Sequence, residues 1–110
     1  MPAACLADRL HDGRQALQAA AWDDARAAFE DALGEHESAD ARDGLGQALW
    51  FLGRVEEGIA AREHAFNRYV HERRCGEAAR IAVWISHQYF ISGRTSAARG
   101  WLAGAERAVE

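Results

Sequence analysis

The sequence predicts an all-α protein, and its composition and patterning both indicate this class. Alanine accounts for roughly a quarter of the 110 residues, β-branched residues are few, and Pro2 is the only proline. This balance favours helix over strand, because alanine has the highest helix propensity and proline the lowest. Apolar residues also recur at helical spacing along the chain. A chain of this length can build one modest core, so we expect a single domain spanning residues 1–110.

Six helices are predicted, over residues 4–19, 23–36, 39–52, 55–74, 77–91 and 95–109. Residue types that cap helix N-termini stand near three of the predicted starts: Asp23, Ser38 and Thr95. Glycines, which commonly end helices, stand near three of the predicted ends: Gly53, Gly76 and Gly93. The second of the two repeat intervals given below is longer than the first. We interpret its extra residues, around His71 to Glu77, as a longer fourth helix.

An internal repeat organises these helices. Three short turns share one pattern, a small residue followed two positions later by an apolar residue or threonine. They lie at residues 20–22, 53–55 and 93–95. The first interval between them is 33 residues (53 minus 20) and the second is 40 (93 minus 53). After each turn a small, a central and a small residue follow at i, i+4 and i+7 on one helical face: Ala25, Phe29 and Ala32; Gly58, Arg62 and Ala65; Ala98, Leu102 and Ala105. Phe29 is therefore predicted to lie in the core. The repeats are roughly 4–37, 38–75 and 76–110.

This two-helix unit of about 34 residues resembles the tetratricopeptide repeat. The resemblance covers nearly the whole chain and also rests on Leu45-Gly46, an apolar-small pair in the first helix of the second repeat. It implies a right-handed α-solenoid of three helix pairs. Arg42 and Ala82 depart from the family's first-helix tryptophan, and Arg62 departs from a large apolar residue.

Three runs, at residues 22–29, 45–53 and 100–103, also resemble the helical repeats of bacterial LuxR-type regulators. Those repeats precede a helix-turn-helix. The resemblance implies the sensor or assembly portion of a larger regulator, because no segment here has the pattern of a DNA-recognition helix.

The tetratricopeptide resemblance implies a partner-binding groove along the first helices. Its positions fall on these residues: Ala7, Leu10, Arg14 and Leu17; Asp40, Asp43, Gln47 and Trp50; Arg80, Val83, His87 and Phe90. Trp50 and Phe90 would anchor a peptide or helix, and Arg14, Gln47, Arg80 and His87 would contact an acidic or amide group. In the alternative interpretation, Trp50 and Phe90 only pack between helices.

A protein-interaction module is therefore the expected function. The alternative is a small-molecule sensor with a pocket among Trp50, Trp84, His87 and Tyr89. An enzyme is not expected, because adjacent residues such as Ser86 and His87 point about 100° apart on a helix.

We expect neither a metal nor a cofactor. His71 and Cys75 would share one face of the fourth helix, but two ligands do not make a metal site. A disulfide between Cys5 and Cys75 is not expected in a chain with the composition of a cytoplasmic protein.

The charge pattern argues against nucleic acid as a partner of this segment. Thirteen arginines and no lysine stand against seventeen acidic residues, a net charge of -4, and the two signs alternate along the chain. The apolar runs are too short for a membrane span, so a cytoplasmic location is expected.

The last helix is expected to present an uncovered C-terminal edge, because each repeat of a solenoid packs on the next. Trp101, Leu102 and Val109 form this edge, beside Ala98 and Ala105. We expect a second copy of the chain, as a homodimer, or another helix of the parent protein to cover it.

Overall fold

Six helices make up the computed structural model, which describes residues 6–109 and contains no strand within that range. In chain order they are α1 (Leu6–Gln18), α2 (Trp22–Glu35), α3 (Ala39–Phe51), α4 (Val55–His71), α5 (Cys75–Ile91) and α6 (Thr95–Ala108). The predicted all-α class and the number of helices are confirmed. None of the helices among the described residues has the length and apolar character needed to cross a membrane.

Four of the five connections are turns of one kind. The residue at the centre of each has a left-handed backbone: Ala20 (φ 58°), Gly53 (φ 85°), Arg73 (φ 60°) and Gly93 (φ 80°). In each turn the next residue donates its N–H to the carbonyl five residues earlier, as Arg54 does to Leu49 at 2.9 Å. This is the Schellman arrangement, which satisfies carbonyls left open at a helix C-terminus.

The turn between α4 and α5 corrects the prediction made for Gly76. The fourth helix ends at His71, Arg73 takes the left-handed position, and Gly76 lies in the first turn of α5. The turn is supported by Arg74, whose guanidinium lies 4.7 Å from the centre of the Tyr69 ring and whose Nε donates to Glu77 at 2.7 Å. These contacts hold a conformation that glycine would adopt more readily.

In the α4–α5 turn, Arg74 follows Tyr69 by five residues (74 minus 69). The same spacing recurs twenty residues later, where the guanidinium of Arg94 lies 4.7 Å from the centre of the Tyr89 ring. The spacing from tyrosine to arginine was therefore a sequence signal for the α4–α5 turn. The extra residues of the second interval lengthen both helices: α4 has 17 residues against 14 in α2, and α5 has 17 against 13 in α3. The predicted longer fourth helix accounts for only part of them.

The residues that cap helix starts were predicted less well than the glycines at helix ends. Ser38 caps α3 as predicted, and its side-chain oxygen accepts the N–H of Ala41 at 3.2 Å. Asp23 lies inside the first turn of α2, whose N-cap is Ala21, and Thr95 is the first residue of α6. The predicted caps at these two helices are wrong, because the preceding Schellman turn determines where each helix begins.

The chain divides into two compact units, Met1–Arg62 and Glu63–Glu110, and the boundary falls within α4. In the first unit Phe29 is completely buried with Ala25 and Ala32, which confirms the predicted core face of α2. Its ring lies against the backbones of α1 and α3 at Gly13 and Gly44, where an added Cβ would overlap the ring. Phe29 can occupy this space because both neighbours lack a side chain.

In the first unit, α3 and the start of α4 also approach closely. A Cβ added to Gly58 would lie 2.8 Å from the carbonyl oxygen of Gly46, so the crossing requires glycine. In the second unit α5 packs on α6. The buried side chains there include Ile81 and Ile85 of α5 and Ala98 of α6.

Candidate interaction surfaces

Four of the residues predicted to line a groove lie along α5, in the second unit. Arg80, Val83, His87 and Phe90 are spaced at helical intervals of three, four and three, and all four are exposed. Val83 is 51% and Phe90 57% exposed. We call this row the α5 face; it presents two apolar side chains together with two polar ones.

The predicted groove residues of the first unit make contacts within that unit. Arg14 forms an ion pair with Asp40 at 3.3 Å. Leu17 is partly buried and packs against the core around Phe29.

Gln47 and Trp50, further along α3, are also partly buried. Gln47 donates to Asp43 at 3.4 Å, and the rings of Trp50 and Phe51 meet edge to face with centroids 5.2 Å apart. In the first unit, these predicted positions therefore contribute to packing and polar contacts within α1 and α3.

Asp43, also predicted as a groove position, is buried in an ion pair. Its carboxylate lies 3.0 Å from the guanidinium of Arg62, and the two side chains are 8% and 5% exposed. Arg62 stands where the tetratricopeptide pattern has a large apolar residue, and it does lie on the buried face that the spacing predicted. Sequence reasoning considered the two residues separately and missed the pair, because they are 19 positions apart (62 minus 43) on different helices.

A second surface of the second unit is an open apolar groove between α4 and α6, which we call the α6 groove. It has a volume of about 490 Å³ and these lining residues: Phe66 and Val70 from α4, and Ala97, Gly100, Trp101, Gly104, Arg107 and Ala108 from α6. The rings of Phe66 and Trp101 meet edge to face with centroids 5.1 Å apart. A Cβ added at Gly100 would have no contact within 4 Å to another part of residues 6–109, so the groove wall is open there.

The predicted C-terminal edge coincides with this groove only at Trp101. Leu102 is 39% and Val109 63% exposed, but neither lines the groove. Sequence reasoning missed Phe66 and Val70. The small residues of α6 at spacings of three, four and four, from Ala97 to Ala108, were the available signal for a shallow helical face.

The residues of the alternative small-molecule pocket do not line the α6 groove. Trp84 is partly buried, His87 is exposed, and the Tyr89 hydroxyl donates to the Glu63 carboxylate at 2.6 Å. This hydrogen bond raises the pKa of Tyr89, and desolvation acts in the same direction. Trp50, the fourth residue, belongs to the first unit.

The structure does not place His71 and Cys75 on one helix, contrary to the prediction. His71 ends α4 and Cys75 begins α5; both are exposed. The thiol of Cys75 instead lies 3.6 Å from the carbonyl oxygen of Arg73. Within residues 6–109, no three His, Cys, Asp or Glu side chains are grouped so as to hold a metal ion. Cys5 lies outside the described residues.

Comparison of the chain with models of protein families, with curated proteins and with solved structures found no match.

Proposed function

We propose that this chain is a protein-interaction module, a tetratricopeptide-like solenoid that forms the sensor or assembly segment of a larger bacterial regulator. The α5 face is its binding site for a peptide or a helix of the partner. The observation that carries the proposal is the exposure of Val83 and Phe90 on the same helical face as Arg80 and His87.

This combination of side chains suits recognition of a polypeptide. Aromatic residues and arginine are enriched at protein interfaces, and a few such residues supply most of the binding free energy. Phe90 is the aromatic anchor, and Val83, seven residues earlier, extends the apolar strip by two helical turns. Arg80 lies at one end of the strip, and arginine is a residue type enriched at protein interfaces.

Selection of peptides from a random display library against the purified chain tests the proposal. Selected peptides should bind with a dissociation constant in the micromolar range, measured by fluorescence anisotropy. Phe90→Ala should weaken binding by at least about tenfold, the size expected for an anchor residue.

Ile91→Ala is the matched control. Ile91 is the next residue of α5 and is 69% exposed, but it points about 100° away from Phe90. Peptides that lose affinity equally with both variants, or with neither, would refute the α5 face as the binding site. Failure to select any peptide that competes for this face would refute the proposal as well.

A further inference from the structure

The α6 groove is long enough to hold about three turns of one helix. Its α6 wall runs from Ala97 to Ala108, roughly 16 Å at 1.5 Å per residue, or about three helical turns. Gly100 and Gly104 lie along this wall without side chains, so the backbone of another helix can approach closely there. Phe66, Val70 and Trp101 supply the apolar surface that a helix-in-groove contact requires.

Among residues 6–109, Arg107 is the one charged side chain that lines the groove. Arg107 is exposed and forms no ion pair with any residue between 6 and 109. No acidic side chain of residues 6–109 lines the groove, so a carboxylate on an occupant would complement the charge of Arg107. A Cβ added at Gly104 would lie 3.9 Å from the guanidinium of Arg107 and 3.9 Å from the ring of Phe66. Arg107 therefore borders the groove about one helical turn from the open wall at Gly100.

A second copy of α6 does not provide that carboxylate. The first turn of α6 contains no acidic residue, and Arg99 adds a second cation to this half of the helix. In an antiparallel crossing centred between Gly100 and Gly104, Arg107 faces Ala97 of the second copy; in a parallel crossing it faces another Arg107. Glu106, the one acidic residue of α6, does not line the groove. Neither arrangement therefore places a carboxylate of the groove face beside Arg107, and the parallel one sets like charges together.

We propose that the α6 groove binds a single amphipathic helix of a partner protein, which packs small and apolar side chains over Gly100 and Gly104 and places a carboxylate beside Arg107. This site is separate from the α5 face and does not depend on the function proposed for that face. The helix lies in contact with Phe66 and Trp101, and the charge at one end of the groove determines its direction.

A matched pair of designed peptides tests the site. Both have about 18 residues, enough to cover the groove with a turn to spare at each end. They share one face of leucine and alanine, and the remaining positions are glutamate-rich in one peptide and lysine-rich in the other. Anisotropy at low salt should show the acidic peptide binding about tenfold more tightly than the basic one.

Two variants locate the binding. Arg107→Glu should remove or reverse the preference for the acidic peptide, whereas Arg99→Glu, which makes the same charge change away from the groove, should leave the preference in place. Gly100→Leu should fill the groove and weaken binding by at least about tenfold. Gly34→Leu is its control, because a Cβ at Gly34 also meets nothing within 4 Å but lies on α2.

Helical circular dichroism and melting temperature are measured for every variant, so that a loss of fold is recognised. Equal binding of both peptides, or binding unaffected by both Arg107→Glu and Gly100→Leu, would overturn the proposal. Absence of binding up to about millimolar peptide would do the same. Two other results would also overturn the proposal. A dimer in sedimentation that Gly100→Leu dissociates and the other variants do not would show that the occupant is a second copy. A retained apolar molecule in native mass spectrometry would indicate a small-molecule site.

Discussion

Replacing Phe29 by alanine should be among the most destabilising changes in this chain. The ring is completely buried, and two of its neighbours are the bare backbones at Gly13 and Gly44. No side chain on those walls can move in to fill the space. Phe-to-Ala substitutions in cores cost about 3 to 5 kcal/mol, and we expect the upper half of this range because the cavity cannot collapse easily. Such a loss is a large part of the stability of a small domain.

A double-mutant cycle with Gly44→Ala makes this expectation specific. In the wild type, the added methyl group overlaps the Phe29 ring, and overpacking of this kind costs about 1 to 3 kcal/mol. In the Phe29→Ala background the overlap is gone, and alanine should stabilise α3 by up to about 1 kcal/mol through its higher helix propensity. The effect of the Gly44→Ala substitution therefore changes sign between the two backgrounds, with a coupling free energy of about 1 to 4 kcal/mol.

Guanidinium unfolding followed by far-UV circular dichroism measures these free energies, with the midpoint and the slope m fitted for each variant. Gly34→Ala is the control, because the position is exposed and a Cβ there has no contact within 4 Å to another part of the described chain. It should have the same effect in both backgrounds. A loss below about 1 kcal/mol for Phe29→Ala, far under the usual range, or a coupling near zero with Gly44→Ala, would refute the packing argument.

Three further predictions concern a turn, an ion pair and a titration. Arg73→Gly should stabilise the chain by about 0.5 to 1 kcal/mol in chemical unfolding, because glycine adopts the left-handed turn without steric cost. Asp43→Ala should cost about 3 to 5 kcal/mol in the same assay, since it leaves the charge of Arg62 buried without this carboxylate. Ultraviolet titration of a variant whose only tyrosine is Tyr89 should give a pKa above the ordinary value of 10.0, because only the neutral phenol donates to Glu63. The folded pKa is raised, so this stabilisation is complete below the unfolded pKa and is lost as pH rises through the folded one.

Controls separate each cause from a general effect of substitution. Gly93→Ala makes the reverse change at an equivalent turn and should destabilise the chain. Asp40→Ala removes a more exposed ion pair and should cost less than about 1 kcal/mol. Glu63→Ala should bring the pKa of Tyr89 back towards its ordinary value. An unchanged pKa in this variant, a neutral Asp43→Ala, or a destabilising Arg73→Gly would each contradict the corresponding explanation.

Much of the fold could be predicted because its causes are local. The helices, the caps at Ser38, Gly53 and Gly93, and the burial of Phe29 all follow from residue types within a few turns of each other. The α4–α5 turn could not be predicted from glycine alone. Arg73 occupies the left-handed position that glycine usually takes, in a turn supported by contacts of its neighbour Arg74.

By itself, the sequence determined the all-helical class, the number of helices and the faces that periodicity buries, because hydrogen bonding and side-chain spacing within a helix depend only on nearby residues. Tertiary structure alone decided which polar residues pair and where open surface remains. The tetratricopeptide pattern placed Asp43 in the predicted groove, whereas in the folded chain its carboxylate forms a buried ion pair with Arg62. The α6 groove exists because α4 sets Phe66 and Val70 opposite the glycines of α6. Such contacts join residues far apart in the chain. Periodicity within one helix can indicate a shallow face, as on α6, but it does not identify the residues that meet that face.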